Sequence, residues 1–121
     1  MSTPSLYDRL GQEQGITRIV RDVLANHLAN PVIKARFENV KDMDRLHRVS
    51  VEFFCSGSGG PQKYTGRDLL ATHKGMNLSE QELVAAMDDI VAALDKNGID
   101  DQTKSDVIGI LFSLKAQVLR L

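Results

Sequence analysis

Gly59-Gly60-Pro61-Gln62-Lys63-Tyr64-Thr65-Gly66-Arg67-Asp68-Leu69-Leu70-Ala71-Thr72-His73-Lys74-Gly75-Met76 is a turn-rich stretch that delivers one brief apolar segment and ends it on an imidazole. Glycine and proline at its start favour turns, and Gly75 breaks whatever helix has formed. The helical patterns on either side are longer, better capped and more uniformly apolar on one face. A short segment, bracketed by glycines and presenting His73 between two strong helices, suggests a ligand held toward a cavity. The commoner role for a single histidine near an apolar face is a hydrogen-bonded structural residue. Chemistry alone favours that plainer role.

The flanking patterns are helical throughout. After Gly11, residues Ile16, Ile19, Val20, Val23, Leu24, His27 and Leu28 recur at three- and four-residue spacing, which marks one helical face. Pro31 disfavours helical geometry at Asn30 and ends that helix. Val32 to Asn39 reads as a short helical or turn-like piece carrying Phe37. The next helix starts near Asp42 or Asp44, turns Leu46, Val49, Ser50, Phe53 and Phe54 inward, and dies in the glycines that follow Cys55. Ser79-Glu80-Gln81-Glu82 is a capping box opening a helix with Leu83, Ala86, Met87, Ile90, Val91 and Leu94 on one side. Asn97-Gly98 stops it. Asp100 or Asp101 starts the last helix, with Val107, Leu111, Leu114 and Val118 along one face and Ile108 and Ile110 broadening it. No strand alternation occurs, so the fold class is all-α. The stunted segment at 67 to 74 contributes little burial, and something else could complete the packing there.

Composition narrows the function. A chain of 121 residues fits one domain, 1–121, able to bury roughly two thirds of its unfolded surface. With 15 basic against 16 acidic residues, and no basic stripe interleaved with aromatics, nucleic acid is not an expected partner. Apolar runs are too short to span a membrane, and no secretory signal is visible. Cys55 is the only cysteine, which excludes an internal disulfide and fits a reducing, cytoplasmic setting.

Several motifs, weak singly and strong in order, give the chain a family resemblance. They are Ser5-Leu6-Tyr7-Asp8-Arg9-Leu10-Gly11, Asp42-Met43-Asp44-Arg45-Leu46, Val51-Glu52-Phe53-Phe54, Gly59-Gly60-Pro61-x-x-Tyr64-Thr65-Gly66 and His73-x-Gly75. Together they resemble the truncated haemoglobins, the two-on-two globins, and specifically group 1. The resemblance implies a two-on-two helical sandwich around a haem, of b type, with iron held by His73 as its proximal metal ligand. Phe37 matches the phenylalanine that wedges against the haem plane. Leu46, Ser50 and Phe54 match distal-wall positions. Arg45, Lys63, Tyr64 and Arg67 match donors near the propionates, and each can equally be a solvated surface residue. Leu69, Leu70, Met76, Leu78, Val107, Ile108 and Leu111 would line the proximal side and floor. Tyr7 looks like an anchor of the opening segment.

The chain also departs from the group 1 pattern. Val23-Leu24 stands where members usually carry Phe-Tyr, Ser50 replaces a frequent distal glutamine, and Val49 replaces the distal histidine of some relatives. One residue is inserted around Val40-Lys41. The roof of the ligand pocket thus reads Leu24, Leu46, Val49, Ser50 and Phe54. Dioxygen on ferrous haem carries partial negative charge, so a hydrogen bond to it is worth about 1.5–3 kcal/mol. Losing that donor weakens oxygen retention by a factor on the order of 10 to 150. The resemblance therefore implies a pentacoordinate haem that binds diatomic gases (oxygen, carbon monoxide, nitric oxide) reversibly and releases oxygen fast. His27 and His47 are the candidates for an endogenous sixth ligand. Other functions remain open: a nitric oxide dioxygenase supplied by a reductase, a gas sensor acting through a partner, or a globin that has lost its haem. A redox or haem-thiolate role for Cys55 has no basic neighbour to support it.

Overall fold

The computed structural model describes residues 4–121. The first residues of the N-terminal stretch, within both the 1–121 domain assignment and the stretch searched for a signal, lie outside the described part. Seven α-helices follow in order among the described residues: α1 (Leu6–Arg9), α2 (Gln12–Ala29), α3 (Ala35–Glu38), α4 (Met43–Gly57), α5 (Leu69–His73), α6 (Glu80–Lys96) and α7 (Asp101–Ser113). A single 3-10 turn, Lys115–Gln117, ends the chain's regular structure. Among the described residues, strand-like pairing is confined to one isolated bridge between Leu78 and Leu119.

The caps form where the sequence places them. Asp42 Oδ1 accepts from the Arg45 amide at 3.0 Å and starts α4. Ser79 and Glu82 close a full capping box on α6. Asp100 accepts from the Thr103 amide and starts α7. Asn30 is extended before Pro31, and Gly98 turns left-handed with φ 72° after α6. Each such cap satisfies a backbone donor that the first turn would otherwise leave open, worth about 1 kcal/mol.

Helix α2 is the spine. It packs on α4 on one side and α6 on the other, while α1 bridges α2 to α7. Ile16, Ile19 and Val20 are almost fully buried against Ile90, Ala93 and Leu94 of α6, Val107 of α7 and Cys55 of α4. Each such aliphatic side chain contributes about 1.5–3 kcal/mol. Leu28 is not part of this face: it is 41% exposed, because the helix has turned past its contact with α6. Val118 likewise leaves the α7 face. The helix stops at Ser113, and the tighter 3-10 turn swings Val118 inward on the other side of the chain.

Burial is unevenly shared. Helix α2 buries eight residues, whereas α4 buries Cys55 alone and α5 none. Yet α4 carries Leu46, Val49, Phe53 and Phe54 on one face. The half of the molecule between α4, α5 and α7 is therefore apolar and loosely filled, and a five-residue helix such as α5 has no stability of its own.

Gly15 allows α1 to close on α2. A Cβ there would lie 2.2 Å from the Leu10 carbonyl oxygen, a backbone atom that cannot swing away. Gly15→Ala should therefore destabilise the fold by about 1–3 kcal/mol, although alanine is the better helix former. Equilibrium denaturant unfolding checks this; an unchanged or raised midpoint would contradict it.

Candidate functional site

His73 sits on the last turn of α5. Asp68 caps that helix, its Oδ1 accepting from the Ala71 amide at 2.8 Å. The His73 Nδ1 lies 2.8 Å from the Leu69 carbonyl oxygen one turn earlier. A carbonyl can only accept, so Nδ1 carries the proton and Nε2 keeps its lone pair. That tautomer is the one a metal-ligating imidazole requires.

Three hollows adjoin one another here, and His73 lines two of them. The first, of about 370 Å³, is lined by His27, Phe37, Leu46, His73, Met76 and Leu78 among others. The second, of about 350 Å³, shares Leu46, Thr72 and His73 with it and adds Arg45, Val49, Ser50, Phe54, Tyr64 and Arg67. A third, of about 250 Å³, shares Phe53, Phe54 and Leu69 with the second and reaches Val107 and Leu111. The hollows thus run from α3, past both faces of α4 and α5, to α7.

Most candidate residues lie on these walls. Four do not. Lys63 faces a separate groove with Glu13, His47 and Arg48 on the far side of α4, because the loop after Gly60 carries it outward. Leu24 is buried in the core beside Val23 and lines none of the three hollows, since α2 spends that face on its neighbours. Leu70 is 49% exposed, one position off the inward face of α5. Ile108 also lines none of the three. Conversely, Ile33, Arg36, Val40, Thr72, Leu83 and Ala86 line the first hollow without having been expected there. Leu83 and Ala86 carried a usable signal, since both stand on the apolar stripe of α6.

The loop before α5 is anchored rather than slack. Glu52 of α4 accepts from both the amide and hydroxyl of Thr65, at 2.9 and 2.6 Å, which holds its carboxyl below the ordinary range. The Tyr64 ring meets Phe53 edge-on at 5.7 Å, and its hydroxyl donates to the Arg67 carbonyl. Gly66 lies so close to Tyr64 that any Cβ would touch the phenol at 2.5 Å. Tyr7 anchors α1 to the end of α4, its amide donating to the Ser58 carbonyl at 3.0 Å and its hydroxyl accepting from Gln62 at 2.9 Å.

His27 is buried on the first hollow. Its Nδ1 lies 2.8 Å from Asp89 Oδ2, and Asn30 donates to the same carboxylate at 3.1 Å. The His27 ring stacks on Phe37 at 4.9 Å. His47, turned away on α4, lines the groove that also holds Lys63 and none of the hollows around His73. Cys55 is fully buried, and burial raises its thiol to about 11, so it remains protonated at neutral pH.

The haem implied by the sequence fits these walls. A flat, apolar group with an acidic edge would cover the half-exposed faces of α4 and α5. Arg45 and Arg67 line the second hollow and make no ion pair among the described residues. Those residues also include no cluster of three or more His, Cys, Asp or Glu suited to a metal.

The bacterial-like globin family matches residues 5–120. The chain belongs to that family. It is 27% identical over 114 residues to the group 1 truncated hemoglobin GlbN of Mycolicibacterium paratuberculosis, covering 94% of this chain and 83% of the relative. It is also 27% identical over 115 residues to the group 1 truncated hemoglobin of Tetrahymena pyriformis, covering 95% and 94%. The crystal structure of the Tetrahymena pyriformis truncated hemoglobin in its Fe(III) form superposes with a TM-score of 0.93 at 26% identity, over 98% of this chain and 100% of that one. The fold is the two-on-two helical sandwich of the truncated globins. Among the described residues no helix is long and apolar enough to cross a membrane.

The burial of His27 makes this globin's stability depend on pH. Burial lowers the His27 pKa from 6.5, and Asp89 only partly opposes it. The unfolded chain then takes up a proton before the folded one does. The contribution of His27 is complete above about 6.5 and is lost as pH falls through the lower folded value. Unfolding free energies between pH 7.5 and 5 should decline more steeply for the natural chain than for His27→Gln. Parallel curves would contradict this.

Proposed function

We propose that this globin holds a b-type haem pentacoordinately on His73 and binds diatomic gases reversibly, releasing oxygen fast. The observation that carries this is the His73–Leu69 hydrogen bond at 2.8 Å, which leaves Nε2 unprotonated at the meeting point of two hollows. When bound, the haem supplies an iron centre able to coordinate oxygen, carbon monoxide or nitric oxide. The chain's own residues do the rest. His73 would hold the iron from the proximal side, Phe37, backed by the His27 ring, would wedge against the haem plane, and Arg45 and Arg67 would meet the propionates. Leu46, Val49 and Phe54 exclude water from the distal wall.

The distal wall supports weak retention of oxygen. Of the residues there, Ser50 has one short hydroxyl, and Leu24 is withdrawn into the core. A nitric oxide dioxygenase benefits from a firmly held oxyhaem, so reversible binding is favoured over that activity, for which a reductase partner would also be needed. The His27 ring is stacked on Phe37 at 4.9 Å, which supports an open sixth position. A cytoplasmic setting and independence from nucleic acid belong to the same proposal.

Stopped-flow oxygen release from the ferrous protein tests it. Ser50→Gln should slow release by about tenfold or more, since it restores one donor worth about 1.5–3 kcal/mol. Already slow release in the natural chain, unaffected by the substitution, would overturn it. Sustained nitrate formation from nitric oxide under a reductase would favour the dioxygenase.

A further inference from the structure

The loop that follows His73 is held partly by its own helix, where Lys74 N–H donates to the Leu70 carbonyl at 2.9 Å and Met76 N–H to the His73 carbonyl at 3.0 Å, and partly from a distance. Gly75 and Asn77 adopt left-handed backbone conformations, with φ of 89° and 48°. The amides of both point to one acceptor at the other end of the sequence. The Leu121 main-chain oxygen receives Gly75 N–H at 3.0 Å and Asn77 N–H at 2.8 Å. The exchange is returned one residue earlier, where Arg120 N–H donates to the Leu78 carbonyl at 3.0 Å. Leu78 and Leu119 form the parallel bridge, and Val118 enters the first hollow beside Met76 and Leu78. Arg120 is itself left-handed, with φ 55°, and its guanidinium lies 3.6 Å from Glu80 at the start of α6.

From these contacts we infer that residues 118–121 form a strap that positions His73. The reasoning is mechanical. Helix α5 has one full turn, and no residue of it is buried. Asp68 fixes its first turn, and beside the local bonds of the Lys74 and Met76 amides the strap supplies the long-range contacts that define the direction of the peptide leaving His73. Three backbone hydrogen bonds and one inserted valine clamp the chain within two to five residues of the imidazole. The tail therefore sets the angle at which Nε2 meets the iron, while touching neither iron nor gas. The residues involved are positioning residues.

The inference rests on the proposal that His73 binds haem iron, and its test separates the two. In the natural chain, haem binding by absorption spectroscopy reports on the proposal alone. The strap is then read by the iron–histidine stretching band in resonance Raman spectra of the ferrous protein. Removal of residues 118–121 should shift and broaden that band and speed haem loss by on the order of tenfold, the effect of a few net hydrogen bonds. Arg120→Pro, which deletes a single strap amide and cannot adopt φ 55°, should shift the band in the same direction. Arg120→Gly keeps the amide and accepts the left-handed backbone, so it should retain the natural band. Should the shortened chain fail to fold, the proline and glycine pair decides. A band unmoved by Arg120→Pro, with only the melting temperature lowered, would overturn the positioning role. In the natural haem-bound protein, the Gly75 and Asn77 amides should exchange slowly with solvent. Exchange at the rate of free amides would also overturn it.

Discussion

The hydrogen bond from His73 Nδ1 to the Leu69 carbonyl is the constraint on which the rest of the structure converges. It fixes the tautomer, and the tautomer decides which nitrogen faces the hollows. Holding that bond requires a helix of at least one turn, since donor and acceptor stand four residues apart. It also requires that helix to stay short, because a longer α5 would fill the space the hollows occupy. The anchoring loop before α5, tied to Glu52, and the terminal segment after it hold such a fragment in place from both sides.

This division of labour explains the uneven core. Helices α2 and α6 with Val107 and Cys55 bury their apolar residues against one another and carry the ordinary stability of the domain. Helices α4 and α5 do the opposite and keep apolar side chains half-exposed around a gap. Left empty, such a gap gives its lining no contact on one side. A flat apolar group would supply those contacts, so in this arrangement binding the group and completing the core are one process. The polar parts of the site sit at its edges: Arg45, Arg67 and Tyr64 at one, the His27–Asp89–Asn30 cluster behind Phe37 at the other.

Much of the fold could be read from residues alone because its signals are local. Helix starts at Asp42, Ser79 and Asp100 and stops at Pro31 and Gly98 depend on nearby side chains or on backbone angles, and they fall where the sequence puts them. The four long helices and the stunted α5 follow from periodicity in the same way. What failed depended on contacts between distant segments. Leu24 shares the inward face of α2 with Val23, and only the placement of α4 and α6 decides that it joins the core rather than the hollow. Lys63 is moved outward by a loop whose path Tyr7 and Gln62 set. The Asp89 partner of His27 lies 62 residues away, and the Leu121 acceptor stands at the far end of the chain from α5. Periodicity carries no information about either.

The central claim is that His73 supplies the proximal bond to a haem iron. Replacing it with glycine and adding free imidazole tests that most directly, through ferrous and carbon monoxide absorption spectra of the reconstituted protein. The account predicts that His73→Gly loses the natural coordination spectrum and that imidazole, entering the vacated space, restores it. A His73→Gly protein whose spectrum matches the natural one without imidazole would contradict it.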